Sequence, residues 1–544
     1  MKVALIYTPS RPSVPNYFPP LGLMYLASFL MEQGGHEVVI IDNAKTTSID
    51  WAVAKCEAFA PDLIGVGGII TAYRHVLPLV NRLKDRFPHT PVVIGGQVVT
   101  DNDHNLFEHS KVDYTIHGYG EIPLLMLCDA LHAGTLEVIE RIPGLTFRQG
   151  DNTLVHNKQR VFVEHMDDLP LPAYHLIDME YYSSVPATHA KISAFLRLNQ
   201  REAEVAAFDA ARAFVVMITR GCTDKCTFCV HEQEFVGFKR NRIGYVRNHL
   251  RFLRDNYGIR LFSLGEEMVI TNTRTTKELV DLMNTEFADC YWQTATKSNY
   301  ITQDNVDILK GSNCMSLGFG YESGSQKMLD LYLKRTTTAD NINAYRRLRQ
   351  SGIAPGGSLM VGMVGEDFES ITDTCASLRA AEDSSPGVFF CTPYPGSRLY
   401  DWAIEKGLIK DTHGFLLKCT EFEPIQNMAI NLTNYRNWVV RLFHFRINGE
   451  VALQMLREKS FSYKALKTRY GLIRLMGIAS LPLFWLLRRF ERQLTSVLHK
   501  PRRDRHVWEV DEQGALAVRN IKRGVVSSRL NVLRRADLLS TPSE

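Results

Sequence analysis

The chain has 544 residues, room for three or four domains at roughly 100–200 residues each. Hydrophobic residues make up 45% and charged residues 22%, which excludes a disordered or fibrous protein, and a net charge of +4 is too small to argue for a nucleic-acid partner. No run of about 20 consecutive apolar residues occurs, so no helix is predicted to cross a membrane.

Met1–Tyr7 is a short apolar run without a small-residue cleavage site, and it reads as a first strand rather than a signal peptide. A cytoplasmic protein with reduced thiols is therefore expected. A helical pattern over Leu21–Gln33 follows, then strands at Glu37–Asp42, Leu63–Val66, Pro91–Ile94 and Tyr114–Ile116. These are continuous apolar runs bounded by turn residues, as in buried parallel strands. Residues 1–140 thus predict a doubly wound, Rossmann-like open sheet, which binds ligands at the carboxyl ends of its strands. Residues 141–212 are expected to be a linker or insertion, with a proline connector at Asp168–Pro172 and a charged helical stretch at Ala190–Arg212.

From 213 to 410 strand–helix alternation returns, with candidate strands Phe214–Ile218, Leu261–Leu264, Tyr291–Ala295, Met315–Gly318, Gly357–Val361 and Gly387–Cys391. Six parallel repeats predict a partial, TIM-like (β/α)6 barrel whose site lies at the C-terminal strand ends. Residues 411–544, rich in Arg, Leu and Phe with helical spacing, are predicted to be mostly helical, and a flexible tail is expected at the polar end Leu539–Glu544. The fold class is α/β throughout its first two domains.

Cys222-Thr223-Asp224-Lys225-Cys226-Thr227-Phe228-Cys229 places three cysteines within eight residues, directly after the first barrel strand. Thiolates at this density select zinc or an iron–sulfur cluster. Zinc wants a fourth ligand, which His231 would supply. A cubane held by three cysteines instead keeps one iron open to bind a substrate. The other seven cysteines (Cys56, Cys128, Cys290, Cys314, Cys375, Cys391 and Cys419) stand singly and read as small buried hydrophobes.

The Cys-x-x-x-Cys-x-x-Cys spacing, with an aromatic before the last cysteine, resembles the radical S-adenosylmethionine superfamily. That resemblance implies a [4Fe-4S] cluster on Cys222, Cys226 and Cys229, with S-adenosylmethionine on the open iron. Reductive cleavage would then release a 5′-deoxyadenosyl radical, the electron coming from an external donor of flavodoxin or ferredoxin type. By position it also implies contacts to S-adenosylmethionine from Phe228, Gly265, Glu266, Glu322, Ser323 and Lys334. Taken singly, these residues also read as turn glycines or solvated acids; what unites them is a common address at one end of the barrel.

Pro19–Leu23, Gly35–Val38, Ile94–Gly96 and Asp113–Glu121 look like the cobalamin-binding domain fused to a large branch of these enzymes. The resemblance, covering about residues 1–410, implies corrinoid contacts from Leu21, Gly22, Thr71, Gly95, Gly96, Gly118, Gly120 and Glu121. The other reading is a flavodoxin-like domain that binds protein or nothing. The Asp-x-His-x-x-Gly element that carries a lower axial histidine is absent, and Thr8–Pro20 holds no histidine. His36 and His117 read as ordinary loop or edge residues.

The reaction implied is methyl transfer to an unactivated carbon, or to a phosphinate phosphorus, of a small-molecule or lipid-like substrate. Ring formation or oxidation without methyl transfer, as in the anaerobic porphyrin-ring cyclases, is the alternative. A methylthiotransferase on transfer RNA would need further N-terminal cysteines. A zinc-stabilised corrinoid-binding module is the non-enzyme reading. No residue beyond the cofactor ligands is assigned to catalysis. Leu475–Leu487, flanked by Arg474, Arg488, Arg489 and Arg492, reads either as a helix closing the barrel or as a peripheral membrane contact through 475–492. The basic run at Lys500–Arg505 reads as a solvated face, not a nucleic-acid site.

Overall fold

The computed structural model describes residues 1–8, 18–150, 152–184, 192–193, 195–197, 199–201, 203–204, 212–230, 237–265, 268–384, 386–420, 427–458, 469–501 and 505–506. The first sheet has seven strands: β1 (Lys2–Tyr7), β2 (Glu37–Asp42), β3 (Leu63–Gly67), β4 (Val92–Gly95), β5 (Tyr114–Ile116), β6 (Leu145–Arg148) and β7 (Leu154–His156). Their order is β2-β1-β3-β4-β5-β6-β7. The first five are parallel and nearly continuous in apolar residues because helices cover both faces. This is the flavodoxin-like order, with a switch point between β1 and β3.

The linker expected at 141–212 begins later than its pattern suggested. β6 pairs antiparallel with β5, and β7 with β6, so the first sheet runs on to His156. Strands of four and three residues carry too little periodicity to stand out from a loop. Further on, Ile192, Phe195 and Leu196 pack against Leu261, Tyr291 and Met315 at the N-terminal ends of the barrel strands. These three side chains therefore cover the barrel floor.

The second sheet comprises β8 (Arg212–Met217), β11 (Ile259–Gly265), β12 (Tyr291–Thr296), β13 (Cys314–Glu322), β14 (Ala354–Val361) and β15 (Gly387–Phe390). They lie in the order β15-β14-β13-β12-β11-β8, all parallel, as a six-stranded half-barrel. A short antiparallel pair, β9 (Thr219–Arg220) and β10 (Lys239–Arg240), stands beside it. One hydrophobic core runs through both domains, from Leu23 and Tyr25 to Phe214 and Val216.

The chain then returns. Helix Thr412–Thr420 docks on the first domain, where the His413 ring stacks on His109 at 3.7 Å and its Nδ1 lies 2.8 Å from the Tyr73 hydroxyl. Helix Asn437–Arg457 flanks the β14–β15 edge, with Val440 3.3 Å from the Cβ position of Gly362. The apolar run at 475–487 is not one helix closing the barrel. It is split between Arg469–Ala479 and Leu481–Arg489, and most of its large side chains face outward. Pro482 donates no hydrogen bond, so it begins a helix rather than continuing one. Lys500 and Arg505 donate to the carbonyls of Asn431 and Lys500, tying part of the basic run to the backbone. Arg502, Arg503 and the tail lie outside the described residues.

Candidate active site

The cysteine loop is set up by the strand before it. Beyond β8, the Ile218 N–H donates to the Gly265 carbonyl at the end of β11 (2.8 Å), and Gly221 turns the chain at φ 76° into Cys222. A side chain at Gly221 would be strained in that left-handed conformation. The loop is stitched down downstream: the Thr227 N–H donates to the Tyr332 carbonyl (3.0 Å), and the Leu399 N–H donates to the Thr227 carbonyl (2.9 Å). The Cys229 N–H donates to the Cys226 carbonyl (3.0 Å), and Phe228 lies edge-on to Tyr332 at 5.7 Å.

All ten cysteines are free thiols. Cys226 is buried, and Cys222 and Cys229 are half-buried at the rim. Burial pushes the Cys226 thiol up to about 12, against the nearby Lys334 ammonium. A thiolate there needs positive charge, which bound iron supplies. Among the described residues no three His, Cys, Asp or Glu side chains converge on a single-ion site. A cubane does not require that, because each thiolate takes a different iron. The three thiols on one stitched loop at the barrel rim therefore fit a cluster; His231 lies outside the described residues. Burial pushes the lone Cys56, Cys128, Cys375 and Cys419 up to about 12, which suits inert core thiols.

Three buried ion pairs stand around this loop. Lys334 Nζ donates to Glu322 Oε1 at 2.8 Å, both side chains being 10% exposed. Burial opposes the Lys334 charge, but Glu322 and then Cys226 hold its pKa above the ordinary lysine value. Glu322 sits at φ 55°, a left-handed conformation that a non-glycine residue adopts at a cost of order 1–3 kcal/mol. Gly320 makes room for the pair: a Cβ there would overlap Glu322 Oε1 and lie 2.6 Å from Lys334 Nζ. Lys297, just past β12, pairs with Asp224 inside the cysteine motif. Arg220, two residues before Cys222, meets Glu121 of the first domain at 2.8 Å, each side chain only 6% exposed.

Not every candidate faces the rim in the same way. The Ser323 hydroxyl lies 3.2 Å from Thr374 Oγ1 and accepts the Ser325 N–H, so it closes its own loop. Gly265 has open space at its Cβ position. Glu266 lies outside the described residues.

In the first domain, Leu21, Gly22, Thr71, Gly95, Gly96, Gly118 and Gly120 all follow or face the carboxyl ends of its strands. A Cβ at Gly22 would meet nothing within 4 Å, and at Gly95 only the Ile116 carbonyl at 4.0 Å. Among the described residues, Thr8 Oγ1 after β1 and Thr100 Oγ1 after β4 are buried without hydrogen-bond partners, as expected of a ligand cradle. This edge faces the barrel rim: Gly396 (φ 89°), after β15, sits where a Cβ would overlap Thr100 Cγ2 and lie 3.8 Å from Val230 Cβ, next to Cys229. These residues fit a flat ligand held between the two sheets. The Glu121 carboxylate is engaged by Arg220. His117 is not an ordinary edge residue. Its Nε2 lies 2.7 Å from the buried Asp103 carboxylate, which burial alone would raise but which hydrogen bonds from His117 and His156 hold well below its usual range.

Arg220, Lys297, Asp224, Met268 (Sδ 3.3 Å from Cys222 Sγ) and Thr100 escaped the sequence reading. For Lys297 a usable signal existed, because it occupies the same strand-end address as Glu322.

Comparison with known proteins agrees with this layout. Residues 11–127 match the B12 binding domain, and residues 216–378 match the Radical SAM superfamily. An uncharacterized methyltransferase of Pyrococcus horikoshii is 26% identical over 436 residues, covering 79% of this chain and 88% of its own. The anaerobic magnesium-protoporphyrin IX monomethyl ester cyclase of Synechocystis is 22% identical over 425 residues, 75% of this chain and 78% of its own. The structure of the radical S-adenosylmethionine methyltransferase TsrM from Kitasatospora setae, with cobalamin and [4Fe-4S] cluster bound, shares the fold. It superposes with a TM-score of 0.57 at 18% identity over 75% of each chain.

Proposed function

We propose that this chain, which belongs to the radical S-adenosylmethionine enzymes carrying an N-terminal B12-binding domain, is a methyltransferase acting on an unactivated carbon, or a phosphinate phosphorus, of a small-molecule or lipid-like substrate. The observation that carries the reading is the apposition of the two strand-end edges at Thr100, Gly396 and Val230, beside the cysteine loop. When bound, the cluster, S-adenosylmethionine and cobalamin supply the electron, the carbon radical and the methyl group. A barrel that only abstracts hydrogen has no need of a second cradle across the rim.

The chain's own residues hold and orient. Cys222, Cys226 and Cys229 would hold the cluster through their sulfurs. Lys297–Asp224 and Lys334–Glu322 fix the loop and its neighbouring strand ends with charge that is already paired. Phe228, Tyr332 and Met363 keep the rim dry, and a dry site strengthens every electrostatic contact within it. An external one-electron donor of flavodoxin or ferredoxin type completes the reading, together with a reducing, cytoplasmic setting.

The test uses methyl-deuterated S-adenosylmethionine and the true substrate under anaerobic conditions. Methyl transfer yields both 5′-deoxyadenosine and S-adenosylhomocysteine, with label in the product. The similarity to a cyclase favours a second reading, ring formation or oxidation. That reading is supported if 5′-deoxyadenosine forms alone and the product carries no labelled methyl.

A further inference from the structure

Eight of the twelve large hydrophobic side chains exposed among the described residues fall between 472 and 497, among them Leu472, Leu475, Met476, Leu483, Trp485 and Leu486. Scattered exposed leucines need no explanation, but a contiguous patch does. Six of the eight lie in two helices that meet with a 46° bend.

The inner side of this segment is committed. Gly477 crosses Gly449 of helix Asn437–Arg457 so closely that a Cβ on Gly449 would lie 2.5 Å from the Gly477 carbonyl carbon. Phe484 packs on Phe368 and Phe443, with ring centroids at 5.2 and 6.3 Å. Helix Asn437–Arg457, on which this side packs, itself lies against the barrel edge at Gly362, so the segment rests on the body of the protein. It can lie flat, with its outer side immersed.

Charge names the surface it fits. From 459 to 490 the chain carries seven Lys or Arg and no Asp or Glu. Arg488 covers the Trp485 ring at 5.2 Å, while Arg489 is exposed. Glu491, the next carboxylate, bonds to the Tyr435 hydroxyl and lies 3.7 Å from His499. An apolar face containing tryptophan, rimmed by arginine and free of unpaired acid, is the pattern of an interfacial helix on anionic lipid.

We infer that residues 471–497 dock the enzyme on an anionic bilayer, lying in the plane of its interface. The inference goes beyond the methyl-transfer reading and holds whichever reaction the radical performs. Anaerobic, cofactor-loaded, full-length protein is floated with vesicles of phosphatidylcholine mixed with phosphatidylglycerol, and with phosphatidylcholine alone. The wild type should float with the mixed vesicles, less so as salt rises, and brominated lipid should quench a Trp485 component that Trp485→Phe removes. Arg488→Gln and Arg489→Gln should each weaken binding about fivefold, the equivalent of ~1 kcal/mol per charge. The double variant Leu475→Glu/Trp485→Glu should lose tenfold or more, with unchanged iron content and circular dichroism because both side chains are already exposed. Failure of the wild type to float, or equal binding by all variants, overturns the proposal. So does a wild-type dimer that these substitutions convert to monomer, which would assign the face to a second copy.

Discussion

Replacing Glu121 by Ala strands Arg220, and the consequence can be worked out from the geometry. The two charges meet at 2.8 Å with each side chain 6% exposed, and the guanidinium also lies over the rings of Tyr119 and Tyr25, at 4.7 and 5.1 Å. At an effective dielectric of ~20, unit charges about 4 Å apart attract by about 4 kcal/mol. Taking both ions out of water costs several kcal/mol each, so the pair roughly breaks even against an apolar replacement. Burial alone would lower the Arg220 pKa, and Glu121 is the largest influence opposing it; the arginine still stays charged when its partner is removed, because a guanidinium keeps its proton in proteins. Glu121→Ala or Arg220→Met should therefore each cost about 3–5 kcal/mol. Glu121→Ala/Arg220→Met together should cost far less than the sum, leaving a coupling of at least about 2 kcal/mol. Anaerobic urea unfolding followed by circular dichroism measures it. Because Arg220 is two residues before Cys222, Glu121→Ala should also lower iron retention. Additive single effects, or full iron retention in Glu121→Ala, would refute the claim that this pair joins the first domain to the cluster loop.

Anaerobically purified protein should hold about four irons per chain. Any one of Cys222→Ala, Cys226→Ala or Cys229→Ala should abolish both the cluster and cleavage of S-adenosylmethionine, whereas Cys375→Ala should do neither; stoichiometric zinc would sink the cluster assignment. Gly320→Ala should cost about 1–3 kcal/mol by overpacking and should reduce S-adenosylmethionine cleavage more than iron content, because it pries Lys334 from Glu322. Burial raises the Glu366 carboxyl from 4.5 to about 8, with the Gly362 N–H only partly opposing it. The folded state then binds the extra proton between those values, so this group's contribution to stability falls as pH rises from about 4.5 to about 8. Glu366→Gln should flatten that slope by up to about 1.4 kcal/mol per pH unit, read from urea midpoints across the range.

Much of this protein is written in short stretches of chain. The parallel strands were legible because burial on both faces demands unbroken apolar runs, and all six barrel strands stand where such runs predict them. The cluster loop was legible because three thiols, a turn glycine and the preceding strand are all local. β6 and β7 were not, since strands of four and three residues are defined by the partner they add to. The apolar content of 475–487 was visible, yet a hydrophobic run reads alike whether its outer side meets protein or lipid; only the Gly449–Gly477 crossing and Phe484 packing decide which side is inward. The same division separates the site residues. Cysteine spacing announces itself within eight residues, but Arg220 finds Glu121 across 99 positions, and Gly396 meets Thr100 across 296. Sequence periodicity reports which residues share a face of one element. Which distant element that face meets is set by the packing of both sheets into one core, and it is that packing which turns two ligand-binding edges toward each other.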